Sequence, residues 1–227
     1  MLTANEVLRR ITSLFYATEV WVFDLDGTLV DSHRHIAQIL RSTLMSCGFE
    51  ISMNQEVERV IGLSLDQMLT SLKVPYEIQQ EVVRDFRQQM YQSSKETINV
   101  FSGVEQVLRL LRSSGKRIGI ATNKPTDLAE QVVEASILLN YVDTVVGSTG
   151  LPPKPAPDIL LQALTNLGGT KALMIGDRPE DFLAAYNAGF PCIGIGAHAK
   201  TALDNGQGLI QIAFNSMDSL ASIIETI

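Results

Sequence analysis

Val20-Trp21-Val22-Phe23-Asp24-Leu25-Asp26-Gly27-Thr28 decides how this chain folds. Four apolar residues, two of them β-branched, stop abruptly at a carboxylate, and a second carboxylate and a glycine follow. A run this short, with no polar residue at alternate positions, predicts a strand buried on both faces, as in a parallel sheet covered by helices. Polar groups that crowd in directly after such a strand fall at its carboxyl end. That is where open α/β sheets bind their ligands.

On the carboxyl side of this stretch the pattern changes and then changes back. From Ser32 to Glu96 apolar residues recur at three and four, as in Ile36, Ile39, Leu40 and Leu44, then Val82, Val83, Phe86 and Met90. This predicts a helical segment in several pieces, broken near Gly48, Gly62 and Pro75. Afterwards helix-like and strand-like stretches alternate strictly. Val104–Leu111 precedes Arg117–Ala121, and Asp127–Ser136 precedes Val142–Val146. Asp158–Leu167 precedes Ala172–Ile175, and Pro179–Ala188 precedes Cys192–Ile195. The fold class is therefore α/β, a doubly wound (Rossmann-like) parallel sheet with an α-helical insert after its first strand. The expected division is a core of residues 1–31 and 101–227, with a helical cap at 32–100. On the amino side, Val7, Leu8, Ile11, Leu14 and Phe15 form the stripe of a helix spanning Leu2 to Phe15, expected to dock on the core.

Composition excludes several classes. Hydrophobic residues make up 45% and charged residues 19% of 227 positions, an ordinary globular balance. A formal charge of −7 gives no diffuse attraction to nucleic acid or to an anionic membrane. No apolar run reaches the roughly 18–20 residues that cross a bilayer, and Glu6, Arg9 and Arg10 interrupt any signal-like start. Cys47 and Cys192 lie far apart without histidines at ligand spacing, and read as apolar residues in a reducing compartment. A cytoplasmic protein acting on a small molecule is expected, with neither nucleic acid nor membrane as partner. Monomer and homodimer both stand open.

The loops at the strand ends are chemically dense. Asp24, Asp26, Gly27 and Thr28 come after the first strand; Thr122, Asn123 and Lys124 come after the second. Lys154 lies in the loop Pro153-Lys154-Pro155-Ala156-Pro157-Asp158, and Asp177, Arg178, Glu180 and Asp181 come after Ile175-Gly176. Four carboxylates gathered at one sheet end cannot all stay ionised without a countercharge. A hard divalent cation resolves the conflict, and oxygen-only ligands favour magnesium. Thr122 with nearby N–H groups can bind phosphoryl oxygens, and Lys154 can neutralise charge.

These residues resemble the haloacid dehalogenase superfamily. Asp24-Leu25-Asp26-Gly27-Thr28-Leu29-Val30 is similar to its first motif. Thr122-Asn123, Lys154, and Gly176-Asp177 with Asp181 are similar to its second, third and fourth, in order. The likeness is greatest to the phosphoglycolate phosphatase-like branch, which carries a helical cap between its first two motifs. The resemblance implies a magnesium-dependent phosphatase in which Asp24 attacks phosphorus and Asp26 protonates the leaving oxygen. It implies metal ligands from the Asp24 carboxylate, the Asp26 carbonyl and Asp177, with Asp181 as a further ligand or one shell out. Thr122, Asn123 and Lys154 would hold the phosphoryl group of a small phosphorylated metabolite. Phosphoglycolate, a sugar phosphate, a nucleotide and pyrophosphate are all open as substrates.

Around these positions the expectations are specific. Asp26 is expected to keep its proton through the neighbouring Asp24 charge and partial burial. Lys124 is read as solvated, and His33 and His35 as hinge or surface residues. Arg178 either lies at the rim facing an anionic substrate or pairs with Glu180. The segment Gly62-Leu63-Ser64-Leu65 is expected to reach toward the substrate. The rival readings are a sugar-phosphate mutase, a non-catalytic scaffold of the same fold, and a phospho-acceptor signalling domain. The last is disfavoured by Asp26 and by the size of the helical insert.

Overall fold

The computed structural model describes residues 3–51, 57–93, 98–204 and 208–227. Leu2 of the expected first helix, and positions 52–56 and 94–97 of the expected helical insert, lie outside the described residues. Helix α1 (Ala4–Ala17) opens on a capping box in which Thr3 and Glu6 satisfy each other's free backbone N–H groups. Strand β1 (Val20–Phe23) follows, and then the insert: α2 (His33–Ser46), α3 (Leu65–Ser71) and α4 (Tyr76–Ser93). The breaks fall where the sequence places them. Gly48 and Gly62 take positive φ values of 75° and 100°, and α4 begins directly after Pro75.

Beyond the insert come α5 (Val104–Ser113), β2 (Arg117–Ala121), α6 (Thr126–Glu134), β3 (Thr144–Val146), α7 (Asp158–Asn166) and β4 (Ala172–Gly176). The chain closes with α8 (Pro179–Ala188), β5 (Cys192–Ile195), α9 (Gly196–Asp204), β6 (Ile212–Phe214) and α10 (Met217–Ile224). The strands form one sheet in the order β3-β2-β1-β4-β5-β6, and every pairing is parallel. The strand order reverses at β1. Its neighbours are β2 on one side and β4 on the other, which opens a crevice at its carboxyl end.

The apolar run of β1 has a direct structural cause. Trp21 and Phe23 enter the core beneath α1, α5, α6 and α10, while Val20 and Val22 enter the opposite core beneath α7, α8 and α9. Successive side chains of a strand point to opposite faces, so a strand covered twice needs apolar residues at every position. All four are 0% exposed, and burying side chains of this kind contributes roughly 1.5–3 kcal/mol each. Helix α1 docks as its stripe predicts. Ile11 and Phe15 are buried, and the Phe15 ring meets Trp21 edge-on at 5.9 Å.

The insert has a third apolar cluster of its own, built from Ile36, Leu40 and Leu44 of α2, Met68 and Leu69 of α3, and Val82, Phe86 and Met90 of α4. Leu128 of α6 joins this cluster from the sheet side. The chain leaves and re-enters the sheet along two antiparallel connections: Val30 bridges Val100, and Asp31 N–H donates to the Asn99 carbonyl. Among the described residues, no helix is long and apolar enough to cross a membrane.

Three C-terminal elements, α9, β6 and α10, were not anticipated, and β3 is two residues shorter than its apolar stretch. Strand β6 holds only Ile212-Ala213-Phe214, too short for a periodicity to announce it.

Candidate active site

Strand β1 delivers Asp24 to the switch point, where its N–H still donates to the Ile175 carbonyl of β4 at 2.9 Å. The chain must then turn at once. Gly27 N–H donates to Val30 O and Val30 N–H to Leu25 O, closing a tight loop. Gly27 sits at φ +91°, which L side chains rarely adopt, and a Cβ there would stand 2.7 Å from Asp177 Oδ2. The glycine therefore lets the first loop approach the loop after β4. Gly176 serves a similar purpose, because a Cβ on it would lie 2.5 Å from the Asp181 side chain.

Lys154 is the hub of the first charge cluster. It is 1% exposed, and its Nζ donates to Asp24 Oδ1 at 2.6 Å, Asp181 Oδ1 at 2.5 Å and the Ala121 carbonyl at 2.9 Å. Those three bonds use every N–H of the ammonium. The second Asp181 oxygen accepts from Arg178 N–H at 3.0 Å, so both of its oxygens are engaged by the protein. Asp177 accepts from the Thr28 hydroxyl at 2.8 Å through Oδ1. One carboxylate oxygen each from Asp24, Asp177 and Asp181 lie within 4.8 Å of one another.

Asp24 and Asp181 share one ammonium, Asp177 lies beside them without it, and the imbalance appears in the protonation of Asp24 and Asp177. Burial raises Asp24 to about 7; the Lys154 charge opposes this and the Asp181 charge adds to it. Burial also holds Asp177 well above the usual carboxylate range, helped by the Asp181 and Asp24 charges. Burial alone would depress Lys154, but the charges of Asp181 and Asp24 raise it. An oxygen-only set with unbalanced negative charge suits a hard divalent cation such as magnesium. Asp24 and Asp177 have the room to ligate it. Both Asp181 oxygens already accept one hydrogen bond each from the protein, and one of them lies within reach of the same ion.

Asp26 belongs to a second, separate cluster. Its carboxylate turns toward Lys124, whose Nζ donates to Oδ1 at 2.9 Å and Oδ2 at 2.8 Å, and toward the Ser32 hydroxyl at 2.6 Å. The expectation that Asp26 keeps a proton in the free protein is overturned. Burial would raise it, but the Lys124 charge and the hydrogen bonds from Lys124 and Ser32 hold it below the usual range. Lys124 is likewise not solvated; it is 9% exposed and ion-paired. The Asp26 carbonyl faces His33 Nε2 at 3.1 Å, and burial lowers the pKa of this half-buried imidazole. His33 therefore touches the site rather than lying on the surface.

Thr122 is 2% exposed; its hydroxyl oxygen accepts from Lys124 N–H at 3.2 Å, which leaves its own proton for a ligand. The Asn123 side chain is spent on the fold. Its Oδ1 accepts from Lys154 N–H at 2.7 Å, and its Nδ2 donates to Lys154 O at 3.3 Å and to Gly62 O at 3.1 Å. Asn123 thus ties the lysine loop to the strand β2 loop and both to the insert. Arg178 makes a second tie. Its Nη2 donates to Arg59 O at 2.8 Å, its stem passes over Gly62, and its Nε lies 3.9 Å from Glu180 Oε2.

A cavity of about 50 Å³ lies over Asp24, Asp26, Thr122, Asn123 and Lys124. Gly62, Leu63 and Leu65 reach it as the sequence predicts, together with Ile36, Met68, Phe86 and Met90 of the insert. A larger cavity of about 250 Å³ adjoins it, lined among others by Asp31, Ser32, His35 and Asn99, with Asp26, Lys124 and Met90 common to both. Thr28, Ser32, His33 and Lys124 are the contributors to which sequence reasoning gave no site role. Lys124 carried the one usable signal, since it comes directly after Thr122-Asn123 at a strand end.

Comparison with known proteins bears on this arrangement. Residues 21–195 match the family model of the haloacid dehalogenase-like hydrolases. The "Probable phosphatase IndB" of Dickeya dadantii is 33% identical over 194 residues, 80% of this chain and 84% of that protein. The phosphoglycolate phosphatase of Aquifex aeolicus is 31% identical over 173 residues, covering 75% of this chain and 81% of its own. The crystal structure of a "predicted phosphatase" from Clostridium acetobutylicum superimposes with a TM-score of 0.79 at 26% identity, covering 92% of this chain and 99% of that one.

Proposed function

Because the chain belongs to the haloacid dehalogenase-like hydrolase family, we propose that it is a phosphatase of small phosphomonoesters, phosphoglycolate-like or sugar phosphates, acting through an aspartyl-phosphate on Asp24. The observation that carries this reading is the placement of Asp24. It stands at the switch point of the sheet, bonded to Lys154, beside two further buried carboxylates and facing a cavity. A buried carboxylate fixed by an ammonium is a positioned nucleophile. Its attack on phosphorus displaces the substrate's alcohol, and Asp26 supplies the proton that the leaving oxygen needs. Water then attacks the aspartyl-phosphate with Asp26 as base, releasing phosphate and restoring Asp24. Thr122, which lines the cavity, would donate its O–H to the phosphoryl oxygens, while Lys154, bonded to Asp24, would hold it for attack.

Asp24, Asp177 and the Asp26 carbonyl would hold magnesium, with Asp181 and Thr28 orienting the ligands. When bound, magnesium supplies positive charge to the phosphoryl oxygens as the P–O bond breaks. Residues 32–100 act as a cap over a core of 1–31 and 101–227, excluding water while Asp24 is phosphorylated. The two free thiols, Cys47 and Cys192, fit a cytoplasmic setting.

The test is phosphate release from a panel of phosphomonoesters, with and without magnesium, by wild type and Asp24→Asn. Magnesium-dependent release that the substitution abolishes is the expected result. A folded, magnesium-loaded wild type that releases no phosphate from any of them refutes the proposal.

A further inference from the structure

We propose that Arg178 is a positioning residue that holds the helical insert over the cavity above Asp24, and that Glu180 is the partner it takes when the insert lifts away. The inference rests on the reading of residues 32–100 as a cap, but not on the chemistry beneath it. Side chains of the core reach across to the insert at this point. Asn123 Nδ2 donates to Gly62 O at 3.1 Å, and Arg178 Nη2 donates to Arg59 O at 2.8 Å. The loop these bonds hold supplies Gly62, Leu63 and Leu65 to the cavity wall. Arg178 is itself anchored on the core side, where its backbone N–H donates to Asp181 Oδ2 at 3.0 Å.

Each of these donors keeps an acceptor within the core. Asn123 Nδ2 also donates to Lys154 O at 3.3 Å. Arg178 has Glu180, two residues on in the first turn of α8, but does not bond it. Arg178 Nε and Glu180 Oε2 stand 3.9 Å apart, too far for a hydrogen bond. Both atoms are buried, and neither has a hydrogen-bond partner among the described residues. The stem of Arg178 instead packs on the insert at Gly62, where a Cβ would stand 3.3 Å from its Cγ, and Nη1 lies 3.5 Å from His198 Nε2. The guanidinium is thus drawn toward the insert at the expense of a buried carboxylate beside it. A buried donor and a buried acceptor left unpaired are costly. That cost is recovered when Arg59 O withdraws and Nε closes on Glu180 Oε2. Release of the insert therefore exchanges one Arg178 contact for another and leaves neither charge without a partner.

The test is hydrogen–deuterium exchange, read by mass spectrometry over residues 57–65 of the full chain, in wild type, Arg178→Gln, Glu180→Gln and the double variant. Amides of this loop exchange as the insert lifts, so their rate reports the open population. Arg178→Gln should speed that exchange about 10-fold or more, the scale of one charged hydrogen bond lost from the closed state. Glu180→Gln should slow it roughly 3- to 10-fold, because only the open state bonds that carboxylate to the guanidinium. The double variant should match Arg178→Gln, since Glu180 acts through the arginine. Arg178→Lys takes the place of the glutamine variant if circular dichroism shows the latter unfolded. Unchanged exchange in the Arg178 variant overturns the proposal. Faster or unchanged exchange in Glu180→Gln also overturns it, since the pair would then be a plain brace for the loop after β4. The readout needs no turnover, so a wild type that releases no phosphate overturns the phosphatase reading alone.

Discussion

Asp24→Asn should stabilise the magnesium-free protein at pH 8, and much less at pH 5, although it removes the proposed nucleophile. In the folded chain burial raises Asp24 from 3.8 to about 7, with Lys154 opposing the rise and Asp181 adding to it. Between those pH values the folded state keeps a proton that the unfolded state has shed. Stability therefore falls as pH rises through this window, and the whole loss is present above about pH 7. At ~1.36 kcal/mol per pH unit the loss is on the order of 4 kcal/mol at pH 8 and on the order of 1–2 kcal/mol at pH 5. An asparagine carries no charge to bury and retains an oxygen that can accept from Lys154 Nζ. The variant should thus lead wild type by those amounts, and by roughly 8 °C or more in Tm at pH 8, at ~2–4 °C per kcal/mol for a chain of this size. Urea unfolding in chelator at both pH values measures the difference. Added magnesium should then narrow it, since the ionised Asp24 carboxylate is the ligand that asparagine lacks. An equal difference at the two pH values, or a variant less stable than wild type at pH 8, would refute this account of the site's electrostatics.

Two further substitutions separate the charge clusters. Thr28→Val removes the donor 2.8 Å from Asp177 Oδ1 and should weaken magnesium binding about 10- to 100-fold by calorimetry; unchanged affinity would show that Asp177 needs no such orientation. Asp26→Asn should lower kcat by about 10²–10⁴-fold and leave magnesium affinity within a few-fold, because this carboxylate faces Lys124 and Ser32 rather than Asp177. Undiminished turnover, or a parallel loss of magnesium binding, would contradict that separation.

The sheet was legible because a doubly covered strand must be free of charge along its buried length, and Val20–Phe23, Ile118–Ala121 and Ala172–Ile175 all show it. Their ends marked the site, since Asp24, Thr122 and Asp177 directly follow β1, β2 and β4. The C-terminal strand β6 escaped because it has three residues and lies at the sheet edge, where little pattern is imposed. Pairing was the least legible feature. Asp24 and Asp26 look equivalent in sequence, two residues apart on one loop, yet each has its own lysine. Lys124 read as a solvated charge, and only the three-dimensional fold turns its ammonium inward. Asn123 shows the opposite lesson. Its place in the motif suggests ligand binding, but its hydrogen bonds go to the backbone at Lys154 and Gly62.

The division into two clusters has a consequence for the reaction. Environments that push two carboxylates apart usually name the acid and the nucleophile. Here, in the absence of substrate and metal, they push in the unproductive sense: Asp24, the proposed nucleophile, is raised, and Asp26, the proposed proton donor, is lowered. A cation placed among Asp24, Asp177 and Asp181 would lower Asp24, because opposite charge favours the ionised form. Loss of the Lys124 contact would raise Asp26, because burial would then be opposed only by the Ser32 hydrogen bond and the His33 charge. The two clusters share no lysine, but the Asp26 charge also raises Asp24, so a proton gained by Asp26 would help Asp24 to ionise. On this reading a bound cation readies Asp24 for attack, and Asp26 gains its proton only when the Lys124 ammonium no longer holds it ionised.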